Sequence, residues 1–329
     1  DDRALSYVFG EAQNVTIPVK SEIIAQYTDD KSIIESGKVE FTFLGRPYSK
    51  DDQGRQIYLF RVQDKLVMDI IKQTKFERPV YYSVSVGGDA FCGLEKYFRQ
   101  EGLCMRICPT PQYGEMGNTV YNDKVMDEVL MNVDNSNEYS KTQKYGLKLR
   151  NLNDNGVYYD DVHRRSMQVY RQVYIAYANY LVQVKKDKDK AMKIIDIMRQ
   201  NISDDQFPMH FEMEYRLAFL FEQAGNKELM EKYARMGIKS CEEAINNENL
   251  RPETIYYEQM GHSYGPHHYA SDMYKMIGEY DAAKATLEKL LQTVTAIKQQ
   301  FEAGGESAMK SQDYRRIISN YGSLKTDIR

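Results

Sequence analysis

Apolar residues recur at a helical period beyond residue 160, and this pattern constrains the fold more than any other feature of the sequence. Between Tyr170 and Leu181 they fall at i, i+3, i+4, i+7, i+8 and i+11, as one face of a single helix requires. The charged segment from Lys185 to Lys190 ends that helix, and the same period restarts from Ala191 to Met198. Pro208 lies beyond the second run. The pattern predicts a helical hairpin.

Two further hairpins follow, one turning at Gly225 and the other at Gly278. The three turns, at Asp187, Gly225 and Gly278, are 38 and 53 residues apart, whereas a regular tetratricopeptide repeat has a period of about 34. The stretch 273–291 is nevertheless similar to a tetratricopeptide hairpin, with small residues after the turn and large apolar residues in the second helix. We interpret the array as a tetratricopeptide-like solenoid and the stretch 246–268 as an inserted loop.

The first part of the chain contains runs typical of strands. Lys38 to Leu44 alternates apolar and polar residues, as a half-buried strand does, and the turn-rich stretch 51–54 follows it. Ile57 to Val62 is predicted as its partner strand. Val80 to Val86 is a third run of strongly β-prone residues.

Helices are expected between these strands. Leu66, Ile70 and Ile71 are spaced as on a helix, which we expect Pro79 to end. An amphipathic helix is predicted from Leu94 to near Gly102. The sequence therefore predicts an α+β, mainly α protein, in which a small α/β layer at residues 1–115 precedes a tetratricopeptide-like helical domain at residues 116–329.

Composition and charge exclude several classes of protein. The 329 residues are 42% apolar and 28% charged, enough for about two domains with cores. The formal net charge of −4, with both signs mixed along the chain, predicts no nucleic-acid partner. No apolar run approaches the roughly 18–20 residues that span a bilayer. Because the chain opens Asp1-Asp2-Arg3 rather than with Met, we expect it to be a fragment or a processed product.

The four cysteines are too few and too irregularly spaced for a disulfide framework or a zinc knuckle. We predict that Cys92, Cys104, Cys108 and Cys241 are buried free thiols. Pairing of Cys104 with Cys108 in an oxidising compartment is the alternative.

Three histidines, His262, His267 and His268, lie within seven residues and are candidate ligands of a zinc ion. The chain has no HExxH motif or equivalent spaced carboxylate, so we favour a turn in which these histidines cap helices or face solvent. There is no GxSxG nucleophile motif either, and no recognisable pairing of a histidine with a nucleophilic Ser or Cys. The sequence thus predicts no catalytic residue and no cofactor in this chain.

The segment KLVMDIIKQTKFERPVYYSVSV (65–86) resembles a block in a family of bacterial multi-span membrane proteins related to protein O-mannosyltransferases. A second block, near residues 97–109, is also similar, although Cys104-Met105 stands where that family has other residues. The resemblance spans roughly residues 15–240. The positions that carry it are Asp69, Arg78, Pro79, Tyr81, Tyr97, Gly102, Arg106 and Pro109.

The resemblance implies an architecture rather than a catalytic site. In that family the N-terminal part spans the membrane and resembles a lipid-linked-sugar glycosyltransferase, and the C-terminal part is an extracytoplasmic region with tetratricopeptide-like helices. This chain resembles the C-terminal region alone. The resemblance therefore implies an upstream membrane domain in the same polypeptide, a location on the periplasmic face of a bacterial membrane, and transfer chemistry outside this chain.

The leading hypothesis is a non-catalytic extracytoplasmic module of a membrane glycosyltransferase, acting as a scaffold or binding a protein or glycoprotein partner. One alternative is a free-standing periplasmic solenoid that serves as an adaptor or binds carbohydrate. The other is a soluble hydrolase that uses the loop from His262 to His268.

Overall fold

The computed structural model describes residues 7–114, 119–136, 146–247 and 252–328. Its contacts divide the chain into two compact units. One comprises residues 1–153 and 157–180, and the other comprises residues 154–156 and 181–329. The expected domain boundary between residues 115 and 116 stays a prediction.

The strands lie in the first unit and form small antiparallel sheets, in the orders β1-β5-β4, β2-β3 and β6-β8-β7. In chain order they are β1 (Tyr7–Gly10), β2 (Gln13–Pro18), β3 (Lys38–Phe43), β4 (Arg46–Lys50), β5 (Gln56–Arg61), β6 (Tyr81–Ser83), β7 (Phe98–Glu101) and β8 (Cys104–Ile107).

The helices occupy most of the remaining described chain. In chain order they are α1 (Ser21–Ile24), α2 (Lys31–Ser36), α3 (Val62–Thr74), α4 (Asp123–Met131), α5 (Asp161–Tyr180), α6 (Lys188–Asn201), α7 (Phe211–Ala224), α8 (Lys227–Asn246), α9 (Pro252–Gln259), α10 (Pro266–Met276), α11 (Tyr280–Ala303), α12 (Glu306–Met309) and α13 (Gln312–Asp327). The α+β, mainly α class predicted from the sequence is confirmed.

The strand predictions are confirmed in position but not in pairing. The predicted strands match β3 and β5, yet β3 pairs with β2, and β5 pairs with β1 and β4. The turn at 51–54 joins β4 to β5, where the Gly54 N–H donates to the carbonyl of Asp51. Every residue of β4 is exposed. The strand therefore lacks the alternation of apolar and polar residues by which a half-buried strand is recognised in a sequence.

The predicted helix from Leu94 to Gly102 is wrong. A short 3₁₀ turn at Glu95–Tyr97 leads into β7, which forms a hairpin with β8. The apolar residues Leu94, Tyr97 and Phe98 cover too short a run to distinguish a helix from a turn followed by a strand. Gly102 has a φ of +64° in the hairpin turn, a conformation that favours glycine.

The helix α3 also ends earlier than predicted. Its last residue is Thr74, and Lys75 follows in the left-handed region with a φ of 47°. This residue, rather than Pro79, stops the helix. The predicted strand from Val80 to Val86 is shortened to β6, because a turn follows Ser83 and the Val86 N–H donates to its carbonyl.

The core of the first unit lies between β2-β3, α3 and β6-β8-β7. Phe41 packs against Phe76 and Tyr97, with ring centroids 5.6 and 4.3 Å apart. The alternation predicted for β3 is confirmed, since Val39, Phe41 and Phe43 are all buried. Their neighbours in this core include Ile17, Ile24, Ile71, Leu94 and Ile107.

Two of the predicted hairpins are confirmed in the second unit. Helices α7 and α8 pack together across a turn at Gly225, and α10 and α11 pack across a turn at Gly278. Gly237 of α8 allows α10 to approach closely, because a Cβ there would lie 2.8 Å from Cε of Met273. The helices α5 and α6 match the two runs of the first predicted hairpin, but they belong to different units, and their pairing stays a prediction.

The stretch 246–268 is not a loop. Residues 248–251 of it lie outside the described residues, and the remainder contains α9 and the start of α10. Pro252 and Pro266 each lie in the first turn of a helix, where proline costs no hydrogen bond. The second unit ends with α11 packed on α13 around Leu287, Leu290, Val294, Ile317 and Leu324.

Candidate functional site

The sheet β6-β8-β7 presents a row of polar side chains on one face. The strand register places Tyr81 opposite Arg106 and Arg106 opposite Arg99. Because side chains alternate along a strand, Glu101 shares this face with Arg99. The other face carries residues of the core, among them Tyr82 and Ile107.

Glu101 is the centre of this polar face. Its carboxylate accepts hydrogen bonds from Arg99 Nη2 at 2.8 Å, from Asn122 Nδ2 at 2.8 Å and from the Tyr81 hydroxyl at 3.0 Å. Arg106 Nη1 lies 3.8 Å from Oε2, and the Glu101 side chain is only 4% exposed. The guanidinium groups of Arg99 and Arg106 therefore neutralise a carboxylate that is almost fully removed from water. A buried carboxylate is tolerated only when it is paired and hydrogen-bonded in this way.

The charged groups also set the ionisation of Glu101. Burial by itself raises the pKa of a carboxyl group, but the hydrogen bonds from Asn122 and Arg99 and the charge of Arg106 more than offset it. The pKa of Glu101 is consequently below its ordinary value.

Tyr27 lies beside both arginines. Its ring centroid is 5.0 Å from Cζ of Arg99 and 5.5 Å from Cζ of Arg106, within the range of cation–π attraction. Burial raises the pKa of Tyr27, against the opposing charge of Arg106. We call Tyr27, Tyr81, Arg99, Glu101, Arg106 and Asn122 the Glu101 cluster.

Local sequence explains how the cluster is assembled. Gly102 makes the turn that brings β7 and β8 together, and its N–H lies 3.0 Å from Sδ of Met126 in α4. The Asn122 N–H donates to the carbonyl of Gln100, which holds the start of α4 against β7. Helix α4 therefore delivers Asn122 to the carboxylate.

The structure brings together some of the residues that carry the family resemblance and separates others. Tyr81 and Arg106 belong to the Glu101 cluster, and Gly102 is in the adjoining turn. Asp69, Arg78 and Pro79 are exposed. The remaining two residues, Tyr97 and Pro109, line a cleft.

That cleft has a volume of about 350 Å³ and is lined by Tyr97, Pro109, Thr110, Ser36 and Lys38 among others. Tyr97 is buried, and its hydroxyl donates to the carbonyl of Glu40 at 3.1 Å. Pro109 lies two residues beyond the end of β8. These two residues therefore hold the chain around the core rather than present free polar groups.

Sequence reasoning missed Tyr27, Arg99 and Asn122 as members of the cluster, and Glu101 was not among the candidate residues. The spacing of Arg99 and Glu101, two residues apart, places both on one face only if the segment is a strand. Because residues 94–102 were predicted as helix, that signal was lost.

The turn between α9 and α10 together with the first turn of α10, residues 260–268, is called the histidine loop here, and it is organised by a different carboxylate. The side chain of Glu258 is fully buried, and it accepts hydrogen bonds from Nδ1 of His267 and Nδ1 of His268, each at 2.8 Å. The backbone N–H groups of both histidines donate to Oε1 at 3.0 and 3.2 Å. A Cβ at Gly265 would overlap the Glu258 side chain, so glycine is required there.

His262 does not join this arrangement. Its Nε2 lies 4.0 Å from Oδ1 of Asp313. Among the described residues, no group of three or more His, Cys, Asp or Glu side chains is arranged to hold a metal ion. His267 and His268 instead use Nδ1 to satisfy Glu258.

The four cysteines are free thiols, and Cys92, Cys108 and Cys241 are buried as predicted. The prediction is wrong for Cys104, which is only partly buried at the start of β8. Cys104 opens β8 and Cys108 follows its last residue, so at 3.3 Å per residue their Cα atoms are roughly 13 Å apart. A disulfide requires less than about 7 Å. The alternative pairing of Cys104 with Cys108 is therefore incompatible with this strand.

No helix in the described ranges is long and apolar enough to cross a membrane. In a comparison with protein families, residues 12–125 match the model described as TMEM260-associated domain 2. The match covers about a third of the chain and includes the whole Glu101 cluster. No curated protein and no solved structure matched the chain.

Proposed function

We propose that this chain is a non-catalytic, extracytoplasmic module of a larger membrane glycosyltransferase, acting as a scaffold or binding a protein or glycoprotein partner. The observation that carries the proposal is the match of residues 12–125 to TMEM260-associated domain 2. TMEM260 is a protein O-mannosyltransferase. The similarity of a domain associated with such an enzyme supports a role beside sugar transfer.

The Glu101 cluster supports binding rather than catalysis within this segment. Its one carboxylate is closed in by three hydrogen-bond donors, so it is not placed to accept a proton from a substrate. Tyrosine and arginine, in contrast, are enriched at protein interfaces, and Tyr81 at the edge of the cluster is 40% exposed. The proposed role of this face is to contact the acceptor protein or the membrane domain of the same polypeptide.

The proposal is tested on the native polypeptide in its source cells. An antibody against this chain is used to measure the apparent mass, the membrane association and the protease accessibility of the protein that contains it. We expect a membrane-bound species much larger than 38.4 kDa, cleaved in this region only after the outer envelope is opened. A soluble species of about that mass would contradict the proposal and favour a free-standing adaptor or carbohydrate-binding protein.

A second measurement addresses catalysis. The isolated chain is expected to transfer no sugar from a lipid-linked donor to an acceptor protein, while the full-length membrane protein does. Transfer by the isolated chain would overturn the non-catalytic assignment. The hydrolase alternative is tested separately by replacing His262, His267 and His268, which would abolish activity only if the loop performs it.

A further inference from the structure

A second polar cleft lies in the helical unit, between the histidine loop and α13. It has a volume of about 300 Å³, at the lower end of the range for small-molecule sites. The loop contributes His262, Tyr264 and His268, and α13 contributes Arg316, Ser319 and Asn320. Every residue that lines the cleft apart from Gly261 has a polar side chain.

Two polar groups of this cleft are fixed by bonds made on their other side. His268 uses Nδ1 to donate to the Glu258 carboxylate, so Nε2 is the ring nitrogen left for a ligand. Asn320 uses Nδ2 to donate to the carbonyl oxygen of Glu258 at 3.1 Å, which leaves Oδ1 as an acceptor. Within the described ranges neither His268 Nε2 nor Asn320 Oδ1 has a hydrogen-bond partner.

The same cleft also provides donors. Arg316 is held by Asp313, with Nη1 3.4 Å from Oδ1, and its guanidinium carries more donors than this one contact uses. The hydroxyl of Ser319 can donate or accept. Donors and acceptors are therefore presented together at positions fixed by the surrounding structure.

This mixture selects the chemical class of the ligand. An oxyanion only accepts hydrogen bonds, and the carboxylates of Glu258, Asp272 and Asp313 around the cleft oppose a negative charge. A cation is opposed by Arg316 and takes no advantage of the donors. A neutral polyhydroxyl compound uses both the donors and the acceptors of the cleft, because each hydroxyl group donates and accepts hydrogen bonds.

One wall is an aromatic surface. Tyr264 is 48% exposed, and its hydroxyl donates to Oδ2 of Asp272 at 2.6 Å, which fixes the ring. The ring centroid lies 4.5 Å from that of His268. An aromatic face of this kind suits the apolar C–H face of a pyranose ring.

We propose that the cleft between the histidine loop and α13 binds a single neutral hexopyranose unit of a glycan. The hydroxyl groups bond to His268, Asn320, Arg316 and Ser319, and the ring lies against Tyr264. This inference is independent of the proposed function, because its residues lie outside the segment that matches the family model.

The test measures binding of methyl hexopyranosides to the full 329-residue chain by saturation-transfer NMR, using the manno, gluco and galacto forms and inorganic phosphate as the anionic probe. We expect at least one hexoside to receive saturation, with a dissociation constant of about 1 mM for so small a ligand. Phosphate is not expected to displace it. Failure of all three hexosides to bind, or displacement by phosphate, overturns the proposal.

A pair of variants locates the site. Arg316→Ala is expected to weaken hexoside binding about tenfold through loss of a charge-assisted hydrogen bond. The matched control is Arg315→Ala, since Arg315 is exposed on the same helix but does not line the cleft. Unchanged binding by Arg316→Ala, with an unchanged melting temperature, contradicts this location. The fractionation of the native protein tests the proposed module and does not depend on hexoside binding. Failure of one proposal is therefore distinguishable from failure of the other.

Discussion

At the scale of single residues, Glu101 is a position at which one substitution has a large expected effect on stability. Glu101→Gln removes the negative charge that neutralises Arg99 and Arg106, whose side chains are 19% and 25% exposed. We expect the free energy of unfolding at pH 7 to fall by about 3 kcal/mol. Denaturant unfolding measures this, with the exposed Glu35→Gln as the control that should change little.

The same residue predicts a dependence of stability on pH. A carboxyl group whose pKa is lowered on folding stabilises the protein above its unfolded-state pKa, which is about 4.3 for glutamate. That contribution disappears as the pH falls through the lower folded-state pKa. The difference in unfolding free energy between wild type and Glu101→Gln should therefore shrink below about pH 4. If the difference in unfolding free energy between wild type and Glu101→Gln is constant from pH 7 to pH 3, the pKa of Glu101 is not lowered on folding.

His267 provides a second test at this scale. It is 9% exposed in its side chain and bonds to the buried carboxylate of Glu258, whereas the His262 side chain is 30% exposed. We expect His267→Ala to lower the free energy of unfolding by about 2 kcal/mol, because Glu258 loses a donor. His262→Ala should change it by less than about 0.5 kcal/mol. Equal effects of the two substitutions, measured by urea unfolding, would argue against this role for Glu258.

At the scale of elements, the β7-β8 hairpin depends on close contact with α4. A Cβ at Gly102 would lie 2.8 Å from Cγ1 of Val129, and the φ of +64° is itself unfavourable for other residues. Gly102→Ala is expected to lower the free energy of unfolding by about 3 kcal/mol, as backbone strain and overpacking combine.

Gly54 supplies the control for this prediction. Its φ is +78°, but a Cβ there would have no atom within 4 Å. Gly54→Ala should therefore lower the free energy of unfolding only through backbone strain, by about 1 kcal/mol. If the two substitutions have equal effects on unfolding, the hairpin does not pack on α4 as described.

At the scale of the whole molecule, the four cysteines predict how the chain reacts with thiol reagents. Burial raises the pKa of Cys92 to about 11 and that of Cys108 to about 12, and also raises those of Cys104 and Cys241. We expect slow alkylation of the folded chain at pH 7, with the partly exposed Cys104 modified first, since the thiolate is the reactive form.

The same experiment in urea without a reductant counts the free thiols. All 4 cysteines should then be alkylated, as measured by mass spectrometry of the intact chain. Protection of two of them until a reductant is added would show a disulfide and contradict the arrangement around β8.

The sequence by itself determined the features that depend on local periodicity and turn chemistry. The alternation in β3, the apolar runs of α5 and α6, and the turns at Gly225 and Gly278 were all predicted. Each follows from a repeat of two or about 3.6 residues that persists long enough to be recognised, or from glycine at a positive φ. The fold class followed from these elements.

Only the tertiary structure decided which strands pair, where short elements begin and which side chains meet. Residues 94–101 carry a pattern too short to specify one structure, and pairing with β8 made part of them a strand. Arg99 and Asn122 donate to Glu101 from different elements, because a nearly buried carboxylate requires donors from wherever the chain supplies them. Tyr27, distant in sequence from both, packs against the guanidinium of Arg99. Long-range contacts of this kind leave no periodic signal, so the candidate site could not be assembled from the sequence alone.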